Sequence, residues 1–276
     1  MPTRGGVWKA LERGARIGCD AVQLFVKNNM QWFGRPYTPA ELAAYANQLA
    51  QRPFRAVFAH AGYLINLAGP PSPKRSKSVR SLIQEINLAD QLRLPFLILH
   101  PGSHLGEGEE AGIKRAAQGL DEAFAATTGS PVGVALECTA GQGTALGGRL
   151  EHLAAIRDKT RAPERVGFCL DTAHLFAAGF DLRTREGWDE IVRQAETLLG
   201  LDRVWAIHLN DSKTPLGSRT DRHEGIGKGR IGLEAFRYIV NDPRFANTPG
   251  CIETPKSDDL HEDVENLALL RSLLAG

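Results

Sequence analysis

Seven short apolar runs constrain this chain more than any other feature: Ala21–Val26, Arg55–Ala61, Pro95–His100, Val132–Cys138, Val166–Asp171, Val204–Leu209 and Gly250–Glu253. They stay apolar through most of their length. A strand with one wet face alternates, whereas a parallel strand covered by helices on both faces does not. Helical patterns fill the intervals. Thr38-Pro39-Ala40-Glu41 has the form of a capping box with proline at the first helical position, so a helix is expected to begin there. Val79, Leu82, Ile83 and Ile86 share a helical face, as do Trp188, Ile191, Val192, Ala195 and Leu198, and Leu260, Val264, Leu267 and Leu270. Repeated βα units with no break in composition predict an α/β fold, a (β/α)8 TIM barrel forming a single domain over residues 1–276. A doubly wound open sheet is the alternative, but no Gly-x-Gly-x-x-Gly follows a strand.

A closed barrel needs one strand more than these runs supply. Gly6–Ile17 reads as helical, and only Met1-Pro-Thr-Arg4 precedes Gly5-Gly6. That segment, with its proline, is short of the about five residues of a normal strand. The first strand is therefore expected to be truncated or missing, leaving a gap between Ala21–Val26 and Gly250–Glu253. A true start upstream of Met1 would explain it.

The ends of the runs carry the chemistry. Six of the seven finish at or beside an ionisable residue: His60, His100, Glu137, Asp171, His208 and Glu253. Strand C-termini of a barrel converge on one mouth. A lone histidine after an apolar run is more often a hydrogen-bonded core residue than a ligand. Six such groups together are costly unless cations compensate them, and histidines with carboxylates are the expected donors for zinc or a similar divalent ion. His174 follows Asp171 by three residues, and Asp221-Arg222-His223 places two more donors on one face of an extended segment. Nine donors exceed one tetrahedral site; with a bridging carboxylate they suit three ions. His104 lies close to this set without being counted in it, and His152 and His261 are expected in solvent on helices. None of the four cysteines forms a Cys-x-x-Cys, so no thiolate zinc site is expected, and Cys138, Cys169 and Cys251 read as buried, reduced core thiols.

The formal net charge is only +1, so any affinity for nucleic acid must come from local patches. Two stretches read as loops, either functional or merely solvated: Gly69–Lys77, carrying Lys74, Arg75 and Lys77, and the basic segment Ser212–Arg230. No apolar run approaches the ~18 residues of a membrane span, and no secretory h-region is visible, so a cytoplasmic protein is expected.

These motifs, taken together, resemble the endonuclease IV family (AP endonuclease family 2, deoxyribonuclease IV). The matching segments are His60-Ala-Gly-Tyr-Leu-Ile-Asn-Leu-Ala, His100-Pro-Gly-Ser-His-Leu-Gly, Leu136-Glu137, Leu170-Asp-Thr-Ala-His174, His208-Leu-Asn-Asp-Ser-Lys213, Asp221-Arg-His-Glu-Gly-Ile-Gly-Lys-Gly229 and Ile252-Glu-Thr-Pro255. The resemblance implies a zinc enzyme of base excision repair. It would cut the phosphodiester 5′ to abasic sites in double-stranded DNA, or act at blocked 3′ ends, leaving a 3′-hydroxyl and a 5′-deoxyribose phosphate. It implies three Zn2+ per chain, with Mn2+ possible at one or more sites. Glu137 would bridge two ions; His60 and His100 would complete the first, Asp171, His208 and Glu253 the second, and His174, Asp221 and His223 the third. Glu137 and Glu253 are the implied catalytic carboxylates. Zinc lowers the pKa of bound water to about 7, which would make a protein nucleophile unnecessary. Met30 and Gln31, in the segment Lys27–Trp32, and Tyr63 are the implied contacts in the gap beside an extruded abasic nucleotide, joined by Arg222 and Lys228 on the basic segment. Where the family often has arginine this chain has Met30, an apolar wedge unable to hydrogen-bond a base; core packing is the alternative for Met30 and Tyr63. A monomer is expected.

Three other readings remain. A sugar isomerase or epimerase on the same barrel would use Glu137, Asp171, His208 and Glu253 but leaves His60, His100, His174, Asp221 and His223 unexplained. A UV-damage endonuclease is a comparably distant relative. A DNA-binding module without catalysis needs no such donor set.

Overall fold

In the computed structural model, which describes residues 1–275, the chain divides into two compact units. The first takes residues 1–136 and 155–167. It contains α1 (Trp8–Arg16), β1 (Ala21–Leu24), α2 (Pro39–Gln51), β2 (Ala56–His60), α3 (Pro73–Gln91), β3 (Phe96–Leu99), α4 (Glu109–Ala126) and β4 (Gly133–Glu137) up to its last residue. β1 pairs with β2, β2 with β3 and β3 with β4, all parallel. Val22, Leu24, Phe58, Leu97, Ile98 and Val134 are buried, as the unbroken apolar runs require. The capping box forms: Thr38 Oγ1 accepts from Glu41 N, and Glu41 accepts from Thr38 N at 2.9 Å. The Gly69–Lys77 reading is corrected. Ser72 Oγ accepts from Arg75 N and Pro73 occupies the first turn, so α3 begins inside that stretch and Lys74, Arg75 and Lys77 are helical.

The second unit takes residues 137–154 and 168–275, with α5 (Leu150–Lys159) and β5 (Val166–Asp171) each running across a boundary. It holds α6 (Thr172–Ala178), α7 (Arg185–Leu198), β6 (Val204–His208), β7 (Asp211–Ser212), β8 (His223–Glu224), α8 (Leu233–Val240), β9 (Gly250–Cys251) and α9 (His261–Ser272). Parallel pairing sets Asp171 beside His208 and His208 beside Cys251, so three strand ends are level. β7 and β8 close an antiparallel hairpin around the basic segment. Its far end is tied down by Asp211, whose carboxylate accepts from Gly229 N at 3.0 Å and Ile231 N at 2.9 Å.

Seven parallel strands occur among the described residues, and residues 1–4 form none. Among those residues β1 hydrogen-bonds to β2 alone and β9 to β6 alone in their sheet, which agrees with the expected missing strand. Met1 donates its amino group to Gln23 O of β1. Two helix readings change. α9 does not pack on Val264, which is 45% exposed; it buries Asp263, Asn266 and Leu270. His152 is not solvated but buried, accepting from Gly147 N at 3.1 Å. No helix among the described residues is long and apolar enough to cross a membrane.

Candidate functional site

Asp171 shows why these strands end where they do. It is the last residue of β5 and the N-cap of α6, its Oδ1 accepting from His174 N at 2.8 Å. One carboxylate thus stops the strand, starts the helix and places His174 in the first helical turn. His208 ends β6 beside it. Its Nδ1 lies 2.8 Å from Glu137 Oε1, 3.3 Å from Glu253 Oε2 and 3.6 Å from Asp171 Oδ2. Donor atoms of Glu137, Asp171, His208 and Glu253 all fall within 4.8 Å of one another. A second group joins at Asp171: His174 Nε2 lies 3.2 Å from Asp221 Oδ2, and His223 Nε2 lies 3.2 Å from Asp221 Oδ1 and 3.8 Å from Asp171 Oδ2. Asp221 and His223 do face the same way, as their spacing predicted. All seven of these donors belong to the second unit.

The electrostatics of the group is that of carboxylates held by protonated imidazoles. Burial acts to lower the pKa of His174, but Asp171, Asp221 and Glu137 outweigh it and raise it well above the ordinary value. His208 moves the same way: burial lowers it, but Cys169, Glu253, Glu137 and Asp171 outweigh that and raise it well above the ordinary value. His223, opposed by burial and favoured by Asp171 and Asp221, is pushed up to about 9. Burial raises Asp171 and Asp221, yet the facing histidines hold both below the usual carboxylate range.

The residues fit divalent cations. His174 Nδ1 lies 2.9 Å from Cys138 O and His223 Nδ1 lies 3.2 Å from Glu253 O. A carbonyl can only accept, so each Nδ1 carries hydrogen and each Nε2 is turned toward carboxylates, the arrangement of a metal-ligating imidazole. His223 Nε2 is buried and, though near Asp221, makes no aligned hydrogen bond. Burial pushes the Cys169 thiol up to about 12 and raises Cys138 as well, so both favour the neutral thiol. Cys251 is only half-buried, a correction to its reading as a core thiol.

Asn210, two residues beyond β6, had no role assigned from sequence. It is fully buried, donates Nδ2 to Asp171 Oδ2 at 2.6 Å and accepts from Glu253 N at 2.6 Å. It therefore orients two of the acidic donors at once. Its position at i+2 from a strand-ending histidine was the available signal. Asn266 of α9 plays a similar part at longer range, accepting from Ile226 N at 2.9 Å and donating to Thr254 Oγ1 at 3.1 Å.

In the first unit, the rings of His60 and His100 stand 5.4 Å apart at 81°. His60 Nδ1 lies 2.7 Å from Ala61 O, which again leaves Nε2 as the nitrogen able to accept a cation. Tyr63 packs its ring 5.4 Å from His60 and 6.2 Å from His100 while remaining 52% exposed, and Met30 is 65% exposed, so neither is a core residue. Gln31 is exposed in the same loop; Arg222 and Lys228 are exposed on the basic segment, and His104 accepts from Gly108 N.

A sequence-family model described as Xylose isomerase-like TIM barrel matches residues 11–273. The chain is 48% identical to a probable endonuclease 4 of Chloroflexus aurantiacus, over 100% of this chain and 97% of that one. To a probable endonuclease 4 of Geobacter sulfurreducens it is 44% identical, over 99% and 93%. The crystal structure of endonuclease IV from Thermus thermophilus superposes with a TM-score of 0.85 at 33% identity, covering 97% of this chain and 94% of that one. A D-tagatose 3-epimerase-like protein reaches a TM-score of 0.71 at 16% identity, covering 98% and 95%, a likeness of fold alone.

Proposed function

This chain belongs to the endonuclease IV family, a family of metal-dependent hydrolases on a TIM barrel, and from that premise we propose that it cleaves DNA 5′ to abasic sites in base excision repair. The observation that carries the reading is the donor set: His174, Asp221 and His223 extend the carboxylate group of Glu137, Asp171, His208 and Glu253 beyond what a one- or two-ion sugar enzyme needs. We assign Asp171, His208 and Glu253 to one ion, His174, Asp221 and His223 to a second, and His60 with His100 to a third, Glu137 bridging. Zn2+ is the proposed ion throughout, with Mn2+ accepted by the carboxylate-rich positions. Bound ions of this kind neutralise phosphate charge, lower the pKa of water and stabilise a departing oxygen.

The chain's own residues do the rest. Asn210 holds the Asp171 and Glu253 carboxylates in place. Glu137, fully buried, directs its carboxylate at His208; Glu253, 19% exposed, is reachable by an incoming water and suited to accept its proton. Met30, Gln31 and Tyr63 are proposed to fill the gap beside an extruded sugar, which is cheap to extrude because it carries no base. Arg222 and Lys228 are proposed phosphate contacts. All nine ligands come from one chain, so a monomer suffices, acting in the cytoplasm. The test is cleavage of a duplex containing one abasic-site analogue, with and without a strong chelator. Incision beside the analogue, lost on chelation and restored by Zn2+, is expected; intact duplex under metal-replete conditions would refute the reading.

A further inference from the structure

Met30 and Tyr63 stand on separate loops, one after β1 and one after β2, each beyond the last residues that the β1–β2 ladder pairs. Beneath them Lys27 Nζ lies 2.9 Å from Glu85 Oε1 of α3, with side chains only 4% and 1% exposed. Apolar residues of similar volume often replace a buried ion pair with no loss of stability. Stability therefore does not account for this one, but its bonds do. Lys27 Nζ donates to Gln31 O at 2.6 Å, and Glu85 accepts from Gly62 N at 3.0 Å. Gln31 directly follows Met30, and Gly62 directly precedes Tyr63. Ser81, one turn back on α3, donates to Trp32 O at 2.6 Å. The two loops approach so closely that a Cβ on Gly62 would lie 2.9 Å from Lys27 Nζ and 3.1 Å from Asn29 O.

We propose that the Lys27–Glu85 pair is a positioning device that fixes the separation of Met30 and Tyr63 and so sets the preference for duplex with a missing base. The proposal rests on the abasic-site reading above. Lys27 and Glu85 are buried and act through the backbone on either side. Stacked bases lie about 3.4 Å apart along a strand, so two side chains sharing one gap must hold their spacing to a fraction of that distance. A charged pair with directional bonds to both loops does so; an apolar pair of the same volume would fill the space and release both backbones.

The experiment compares full-length, metal-replete wild type, Lys27→Met/Glu85→Leu and Glu85→Gln on duplexes carrying an uncleavable abasic analogue or no lesion, with 2-aminopurine opposite the analogue. Wild type is expected to prefer the abasic duplex and to change the 2-aminopurine emission; if it shows no preference, the abasic-site reading fails and this proposal with it. The double variant is expected to keep its divalent-metal content and its affinity for undamaged duplex. It should lose about tenfold of the abasic preference, the scale of lost hydrogen bonds to charged groups. On a cleavable abasic duplex the loss should fall on KM more than kcat, and on the uncleavable one the emission change should be smaller. Wild-type preference in a folded double variant overturns the proposal. If that variant does not fold, Glu85→Gln decides: it keeps an acceptor for Gly62 but no charge for Lys27, so a loss of about threefold is expected, and an unchanged preference overturns the idea.

Discussion

Glu137 is fully buried with His208 Nδ1 2.8 Å and His174 Nδ1 3.4 Å from the same Oε1, so one oxygen serves two imidazoles. Glu137→Ala removes the group on which both donor sets depend. Cleavage should fall by on the order of 10³-fold or more, the scale of deleting a preorganised charge-stabilising group, while circular dichroism remains that of a folded barrel; near-normal turnover would place the bridge elsewhere. Asn210→Ala makes a finer test. Loss of its bonds to Asp171 and Glu253 should cost about 10–100-fold in metal affinity or activity, as for other groups that orient ligands. Affinity measured by competition with a chromophoric chelator checks it, and wild-type affinity would reduce Asn210 to a packing residue. The contrast between these two residues shows what was legible. Glu137 and its partners stand where apolar runs stop, which sequence displays. Asn210 lies two residues past a strand end, and that spacing alone does not tell which carboxylates its side chain meets. His152 was misread for a related reason: its helical position was visible, but not its bond to Gly147.

Loops and helices carry the next level. The segment after β1 and the turn after β2 present Met30 and Tyr63 to solvent, while the Lys27–Glu85 pair bonds to the backbone of their neighbours Gln31 and Gly62. Tyr63→Ala and Met30→Ala should weaken binding to abasic duplex more than to undamaged duplex, by about 1–3 kcal/mol for the tyrosine, the usual worth of base–aromatic stacking. Equal weakening on both duplexes, read by fluorescence anisotropy, would make them general contacts instead. Elements were legible to unequal degrees. Strand positions came through because burial on both faces leaves an unbroken apolar run. Strand ends were overextended at His100 and Glu253, which lie one and two residues beyond the ends of β3 and β9. The start of α3 was hidden because Gly69–Lys77 is rich in turn formers, although Ser72-Pro73 also satisfies the opening of a helix. The packed face of α9 was hidden because it uses Asn266 and Asp263 where an apolar stripe was expected.

At the scale of the whole molecule the metals should decide stability as well as activity. Metal-replete protein is expected to carry close to three divalent ions per chain by elemental analysis; at most one ion would remove the trinuclear assignment. Ions that bind only the folded chain stabilise it by about 4 kcal/mol at a thousandfold excess over Kd. That figure is for one site, so at roughly 2–4 °C per kcal/mol for a chain of this size each ion stripped should lower the melting midpoint by roughly 10 °C. The deficit should depend on pH in a fixed direction. In stripped protein the carboxylates of the second unit are balanced by protons on His174, His208 and His223, all of whose pKa values are raised. A raised folded-state pKa gives stability that is fully present below the ordinary histidine value and is lost as pH climbs through the folded value. For His223 that window runs from the ordinary 6.5 to about 9. Bound cations replace those protons and maintain the charge balance at high pH. The midpoint difference between loaded and stripped protein should therefore widen steadily across this window, with protons released to the buffer when Zn2+ is added back. A difference that stays constant with pH, or metal uptake without proton release, would mean that the ions bind away from these histidines.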